Sequence, residues 1–92
     1  MEIIITAGVP DTTVEWGGGN LNLDVTGAFK GGAVSLEYSR DAGDTWVPFR
    51  DREGNVHRWT RAEGFAASLG ACRIRAVTVD GEPDVKAFIT EV

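Results

Sequence analysis

A single cysteine, a single histidine and three prolines are all this chain offers of the residues that build disulfides, metal centres and rigid linkers. One thiol excludes an intramolecular disulfide, and Cys72 with His57 falls short of a zinc ligand set. No apolar run approaches the ~18–20 residues of a membrane-spanning helix. Basic residues are outnumbered by acidic ones, nine to fourteen, so the net charge of −5 argues against the basic face of a general nucleic-acid binder. The opening Met-Glu-Ile-Ile-Ile-Thr lacks the charged n-region and long apolar h-region of a signal peptide. The chain is therefore expected to be made in the cytoplasm and to start at its natural Met1. Long helical patterns are missing too.

What is there points to β-structure. Ninety-two residues make one domain, expected over 1–92, with no room for two cores. A domain of this size buries only about two-thirds of the surface its unfolded chain exposes, so oligomerisation or docking onto a larger assembly is expected to help hold it. Glycine is 12 of 92 residues, roughly double the average share of ~7%. Those glycines lie scattered between short apolar runs, as many strands and tight turns require.

The clearest run is Ala33–Phe49. Val34, Leu36 and Tyr38 alternate with Ser35, Glu37 and Ser39, the period of a half-buried strand. A polar turn with Gly43 follows, then Thr45-Trp46-Val47-Pro48-Phe49, and together they read as a hairpin. Leu21, Leu23 and Val25 alternate in the same way, as do Cys72, Ile74 and Ala76 up to Val79, and Val85, Ala87 and Ile89 up to Val92. Glu2–Thr6 and Thr12–Trp16 read as two further strands, parted by a break at Gly8-Val9-Pro10-Asp11. Residues 1–16 are read either as part of the domain or as an N-terminal arm or exchanged strand. Val56–Thr60 is a short candidate strand, and Phe65–Leu69 a weak one with a helical turn over Ala62–Leu69 as its alternative. Asp80-Gly81 signals a two-residue turn, while Glu82-Pro83-Asp84 favours a longer loop. The fold class is all-β: one small antiparallel β-sandwich or barrel, immunoglobulin-like or jelly-roll-like, of seven to nine short strands.

Ser39-Arg40-Asp41-Ala42-Gly43-Asp44-Thr45-Trp46 has the pattern Ser-x-Asp-x-Gly-x-Thr-Trp. It resembles the Asp-box, a hairpin motif of sialidases and of several unrelated β proteins. In the residues themselves, Asp41 is placed to accept backbone N–H groups across the turn. Gly43 supplies a positive φ, and Trp46 is expected to fold back and bury the hairpin against the core. Ser39, Asp41, Gly43, Thr45 and Trp46 are thus read as a structural turn. One copy in 92 residues does not make a propeller.

No catalytic constellation accompanies it. Asp41, Asp44 and Asp51 lack the spacing of an EF-hand and are read as solvated or capping. His57 is read as a surface or loop residue, and Cys72 as a small core hydrophobe. Neither has an activated nucleophile beside it. The triglycine at 17–19 lacks the Gly-Lys-Ser/Thr ending of a phosphate loop. No catalytic residue, cofactor or metal is expected.

Arg50, Arg52, Arg58 and Arg61 place four of the nine basic residues within twelve positions, beside His57 and Trp59. Two readings stay open. One is a docking patch for an acidic neighbour, since Arg and Trp are enriched at binding hot spots. The other is a solvated loop balanced by Asp51, Glu53 and Glu63.

A wider pattern runs Gly-x-x-x-x-Leu-Glu-Tyr-Ser-x-Asp-x-Gly-x-Thr-Trp-Val-Pro, then a loop ending Gly54-Asn55, then Arg73-x-Arg75-Ala76-Val77 and a closing strand. From Asn20 to Val92 the chain resembles small β-sandwich structural proteins of tailed bacteriophage virions; residues 1–16 lie outside the likeness. The resemblance implies a capsid decoration (cement) protein, a head-fibre part or a tail module, located in the virion, with the major capsid protein or another virion protein as partner and a homo-oligomer as its form. It implies no catalytic residues, no nucleic-acid partner and no membrane. The expected contacts are Arg50, Arg52, Arg58, Trp59 and Arg61, with Ile3, Ile4 and Ile5 as a strand added to a neighbour. The alternative is a carbohydrate- or receptor-binding module of a tail or fibre, which expects exposed Trp16, Tyr38 or Trp59 to stack on sugars. A small Asp-box hydrolase is a third reading and needs an acidic or histidine-containing cleft.

Overall fold

A computed structural model describes residues 2–6, as backbone, and 13–92. The break expected at Gly8–Asp11, the start of the second strand at Thr12 and the side chains of Ile3, Ile4 and Ile5 lie outside the described residues. The described residues form eight strands: β1 (Glu2–Thr6), β2 (Thr13–Trp16), β3 (Gly19–Ala28), β4 (Ala33–Ser39), β5 (Val47–Pro48), β6 (Glu63–Leu69), β7 (Cys72–Asp80) and β8 (Asp84–Glu91). They form two four-stranded antiparallel sheets, ordered β1-β8-β3-β6 and β2-β7-β4-β5.

The pairing has a simple rule. β1 pairs with β8, β2 with β7, β3 with β6 and β4 with β5, as nested rungs around the β4–β5 turn. The chain is one long hairpin, folded over so that its rungs fall alternately into two sheets, with β3–β8 and β4–β7 as lateral seams. That is the jelly-roll arrangement, and it decides between the two sandwich types left open by the sequence. The Asp-box turn is the tip of the folded hairpin.

Alternation in the sequence becomes alternation of faces. Leu21, Leu23 and Val25 of β3, Val85, Ala87 and Ile89 of β8, Val34 and Leu36 of β4, and Ile74 and Ala76 of β7 all point between the sheets. Phe29 turns inward from the β3–β4 loop, and Cys72 is a buried member of the core, as expected. Burial holds the Cys72 thiol above its usual pKa, so the neutral form of a small hydrophobe is favoured.

Three local expectations change, and one is borne out over its alternative. β5 is reduced to Val47–Pro48, because the turn runs on to Trp46. Val56–Thr60 is no strand; it is held by two isolated bridges, Arg50 with Val56 and Val34 with Trp59. Glu63–Leu69 is a strand, which bears out the Phe65–Leu69 reading over its helical alternative. Gly81–Pro83 carries the chain from one sheet to the other and closes no hairpin.

Candidate functional site

The Asp-box turn is a closed set of hydrogen bonds. Ser39 Oγ donates to Asp41 Oδ1 at 2.7 Å and accepts the Gly43 N–H at 2.9 Å. The same Asp41 oxygen accepts the Thr45 N–H at 2.8 Å. Gly43 has φ 97° and Ala42 φ 61°, two successive left-handed residues that reverse the chain. Arg73 Nη1 donates to the Ala42 carbonyl at 3.1 Å and ties the turn to β7. The Thr45 N–H and the Ser39 hydroxyl hold the Asp41 carboxyl at a pKa of about 2, against an ordinary 3.8. A depressed carboxyl pKa stabilises the fold above the ordinary value and loses that contribution as pH falls through the folded one. Between pH 4 and pH 2, therefore, the turn should loosen. An NMR titration of the Asp41 side chain is expected to find a midpoint near 2; a midpoint at the ordinary value would mean that these bonds do not form in solution.

Trp46 does not bury the hairpin against the core. Trp46 lies just before the β4–β5 pairing, and its half-buried ring lies 4.0 Å beneath the guanidinium of Arg75, on the outer face of the sheet. Arg75 in turn pairs with Glu37 at 2.7 Å across the β4–β7 seam. The anchor that enters the core is Phe49, packed against Tyr38 and Phe65.

The arginine segment is an excursion from an edge strand. The β4–β5 register places Pro48 opposite Glu37 and Val47 opposite Tyr38, so an unbroken strand would bring Asp51 opposite Val34. Trp59 takes that place instead, exchanging backbone hydrogen bonds of 2.8 and 3.0 Å with Val34. Residues 51–58 loop outward between these two attachments. Asp51 Oδ1 accepts the N–H groups of Glu53 and Asn55, and Arg50 Nη1 donates to the Gly54 carbonyl at 2.9 Å. Asp51 is thus a capping residue, like Asp41.

Trp59 does not face a partner: it is 0% exposed. Its position on the β4 register turns the indole into the core, where it packs edge-on to His57 and Phe65. His57 is a loop residue but half-buried, with Nε2 2.8 Å from Glu63 Oε1 and its ring against Trp59 and Phe65. When Nε2 carries the proton, the ring donates to the carboxylate. This aromatic stack closes the side of the sandwich between β5 and β6. Among the described residues no nucleophile hydrogen-bonds the imidazole, and no group of three or more His, Cys, Asp or Glu is gathered to hold a metal ion. No helix of the described residues is long and apolar enough to cross a membrane.

Arg50, Arg52, Arg58 and Arg61 are exposed. Arg61 makes only a loose pair with Glu63 at 3.8 Å, and Arg52 and Arg58 make no ion pair among the described residues. Arg50 and Arg52 line a shallow groove with Gly64, Phe65 and Ala66 of β6. The aromatic platform expected for sugars is largely gone, since Trp16, at 5% exposure, joins Trp59 in the core. Tyr38 remains half-buried in a shallow depression with Arg40, Asp41, Thr45 and Val47. Excursion, capping and basic side chains together make a displayed surface, not a cleft. No family model, no curated protein and no solved structure matches the chain.

Proposed function

We propose that the protein is a non-enzymatic structural component of a bacteriophage particle, a capsid decoration protein that binds the capsid surface. The observation that carries this reading is the 51–58 excursion. It is pinned at both ends to the sheet, capped by Asp51, and displays Arg52 and Arg58, which make no ion pair among the described residues, from an acidic chain. A loop held in one shape loses little entropy on docking, and its guanidinium groups suit acidic groups on a partner. The jelly roll agrees with the reading without requiring it, because this architecture hosts capsid and lectin domains alike. The motif likeness between Gly31 and Pro48 adds the phage context.

The test is co-sedimentation with capsids. Arg52→Glu with Arg58→Glu is expected to weaken particle binding ~10-fold or more, because rim charges are reversed. The melting temperature should stay within a few degrees, since both side chains are exposed. Undiminished binding by the folded double variant would overturn the assignment of this surface. A second reading, a carbohydrate- or receptor-binding module of a tail or fibre, rests on the Tyr38 depression. Retention on immobilised glycans, without capsid binding, would favour it.

A further inference from the structure

The four sheet edges are not alike. β5 is two residues long, carries Pro48 and is interrupted by the excursion. Among the described residues β2 has four, including Glu15, and β1 has five. These are short or blunted edges of the kind that avoid pairing with other chains. β6 is different. It runs seven residues, Glu63–Leu69, pairs with β3 in unbroken register, and carries no proline and no charge after Glu63. Its inward residues Phe65, Ala67 and Leu69 are only half-buried.

The hydrogen-bonding phase of this edge follows from one contact. The Val92 N–H donates to the Asn20 carbonyl at 3.1 Å, so the backbone of Asn20 faces β8. Backbone direction alternates along a strand, so Gly19, Leu21, Leu23 and Val25 face β6, where they meet Leu69, Ala67, Phe65 and Glu63. The N–H and C=O groups of Gly64, Ala66 and Ser68 therefore point away from the sheet. No strand among the described residues pairs with that side.

We infer that β6 is a homodimerisation edge, which pairs antiparallel with β6 of a second copy about a two-fold axis at Ala66. The strand is complementary to itself in this register. Ala66 meets Ala66 and Gly64 meets Ser68, each as a hydrogen-bonded pair, so the free groups of both copies are satisfied. Small side chains at 64, 66 and 68 leave the outer face smooth. On the inner face Phe65 of one copy lies opposite Ala67 of the other, large against small, and Glu63 lies opposite uncharged Leu69, so no like charges confront one another. Two chains of net charge −5 repel. Arg50 and Arg52, which with Asp51 flank Gly64–Ala66, leave a surplus of one positive charge on this side of the seam and offset part of that repulsion locally. The inference does not depend on the decoration reading: a dimer that fails to bind capsids, or a monomer that binds them, separates the two.

The experiment is sedimentation equilibrium of the full chain from micromolar to millimolar concentration, with two variants. Ala66→Pro removes an N–H that the internal ladder does not use, and an edge strand tolerates it. It removes two symmetry-related bonds, so the dimer dissociation constant is expected to rise ~10-fold or more. Ala66→Cys places two thiols across the axis on paired residues, whose Cα spacing of about 5.5 Å in such a pair lies within disulfide reach. Mild oxidation should cross-link Ala66→Cys but not Thr13→Cys on β2, an edge of the other sheet. A wild-type chain that stays monomeric throughout overturns the inference. So does a dimer that Ala66→Pro leaves intact, or one that cross-links equally through Thr13→Cys. Should Ala66→Pro fail to fold, the two cysteine variants decide alone.

Discussion

Trp59→Ala is expected to lower the melting temperature by about 15–30 °C. The indole is wholly buried and packs on His57 and Phe65, and the Trp59 backbone holds the end of the excursion to Val34. Truncating a buried tryptophan costs about 3–5 kcal/mol. A chain of this length has a total stability on the order of 5–14 kcal/mol, and each kcal/mol shifts the midpoint of so small a domain by about 4–8 °C. Trp59→Phe should cost far less, for a specific reason. The Trp59 Nε1 has no hydrogen-bond partner among the described residues, so replacing the indole with a phenyl ring removes a desolvated donor along with some packing. Thermal melts of both variants by circular dichroism check this. If Trp59→Ala melted like the wild type yet lost particle binding, Trp59 would be a contact residue after all.

Gly27→Ala is expected to cost about 2–4 kcal/mol, although it adds a single methyl group. Gly27 has φ 132° and pairs with Val85 where β3 meets the start of β8. A Cβ there would lie 2.5 Å from the Asp84 carbonyl oxygen and 2.8 Å from the Val85 Cα. Both are backbone atoms, so no side-chain rotation relieves the clash and the β3–β8 seam must shift. Backbone strain and overpacking each cost roughly 1–3 kcal/mol. Gly17→Ala is the comparison, because nothing lies within 4 Å of its Cβ position and its φ is not in the left-handed region. That change should be neutral or slightly stabilising. Urea midpoints, with the slope of the transition checked for constancy, should separate the two clearly. Equal midpoints would mean that β3 and β8 do not approach this closely at Gly27.

Local chemistry was legible without the fold. The Ser39–Thr45 turn could be read because its donors and acceptors sit within a few residues of one another and need no other strand. The strands with clean alternation were legible for a similar reason. A period of two puts Leu21, Leu23 and Val25 on one face whatever strand lies beside them. The exposed state of Arg50, Arg52, Arg58 and Arg61 follows from the cost of burying charge.

Trp59 and Trp46 show where that reasoning stopped. The two tryptophans have similar polar surroundings in the sequence, yet one lies in the core and the other on an outer face. The difference is pairing: residue 59 is carried back to β4 opposite Val34, while residue 46 stands in the turn before β5 begins, on the outer side. Trp46 settles there because Arg75 of β7 supplies a guanidinium to cover its ring. Both placements depend on pairing with strands remote in the chain.

Period, turn chemistry and the cost of burying charge act over a few residues, and they suffice to specify an all-β domain with a capped hairpin, an excess of acidic groups and a basic loop. Contacts between remote strands are needed to make the strands nest as a jelly roll, to put Trp59 in the core and Trp46 outside it, and to leave β6 as a long unblunted edge. Each of these depends on which strands become neighbours. That choice is made by contacts between distant residues, and alternation within a strand does not encode it.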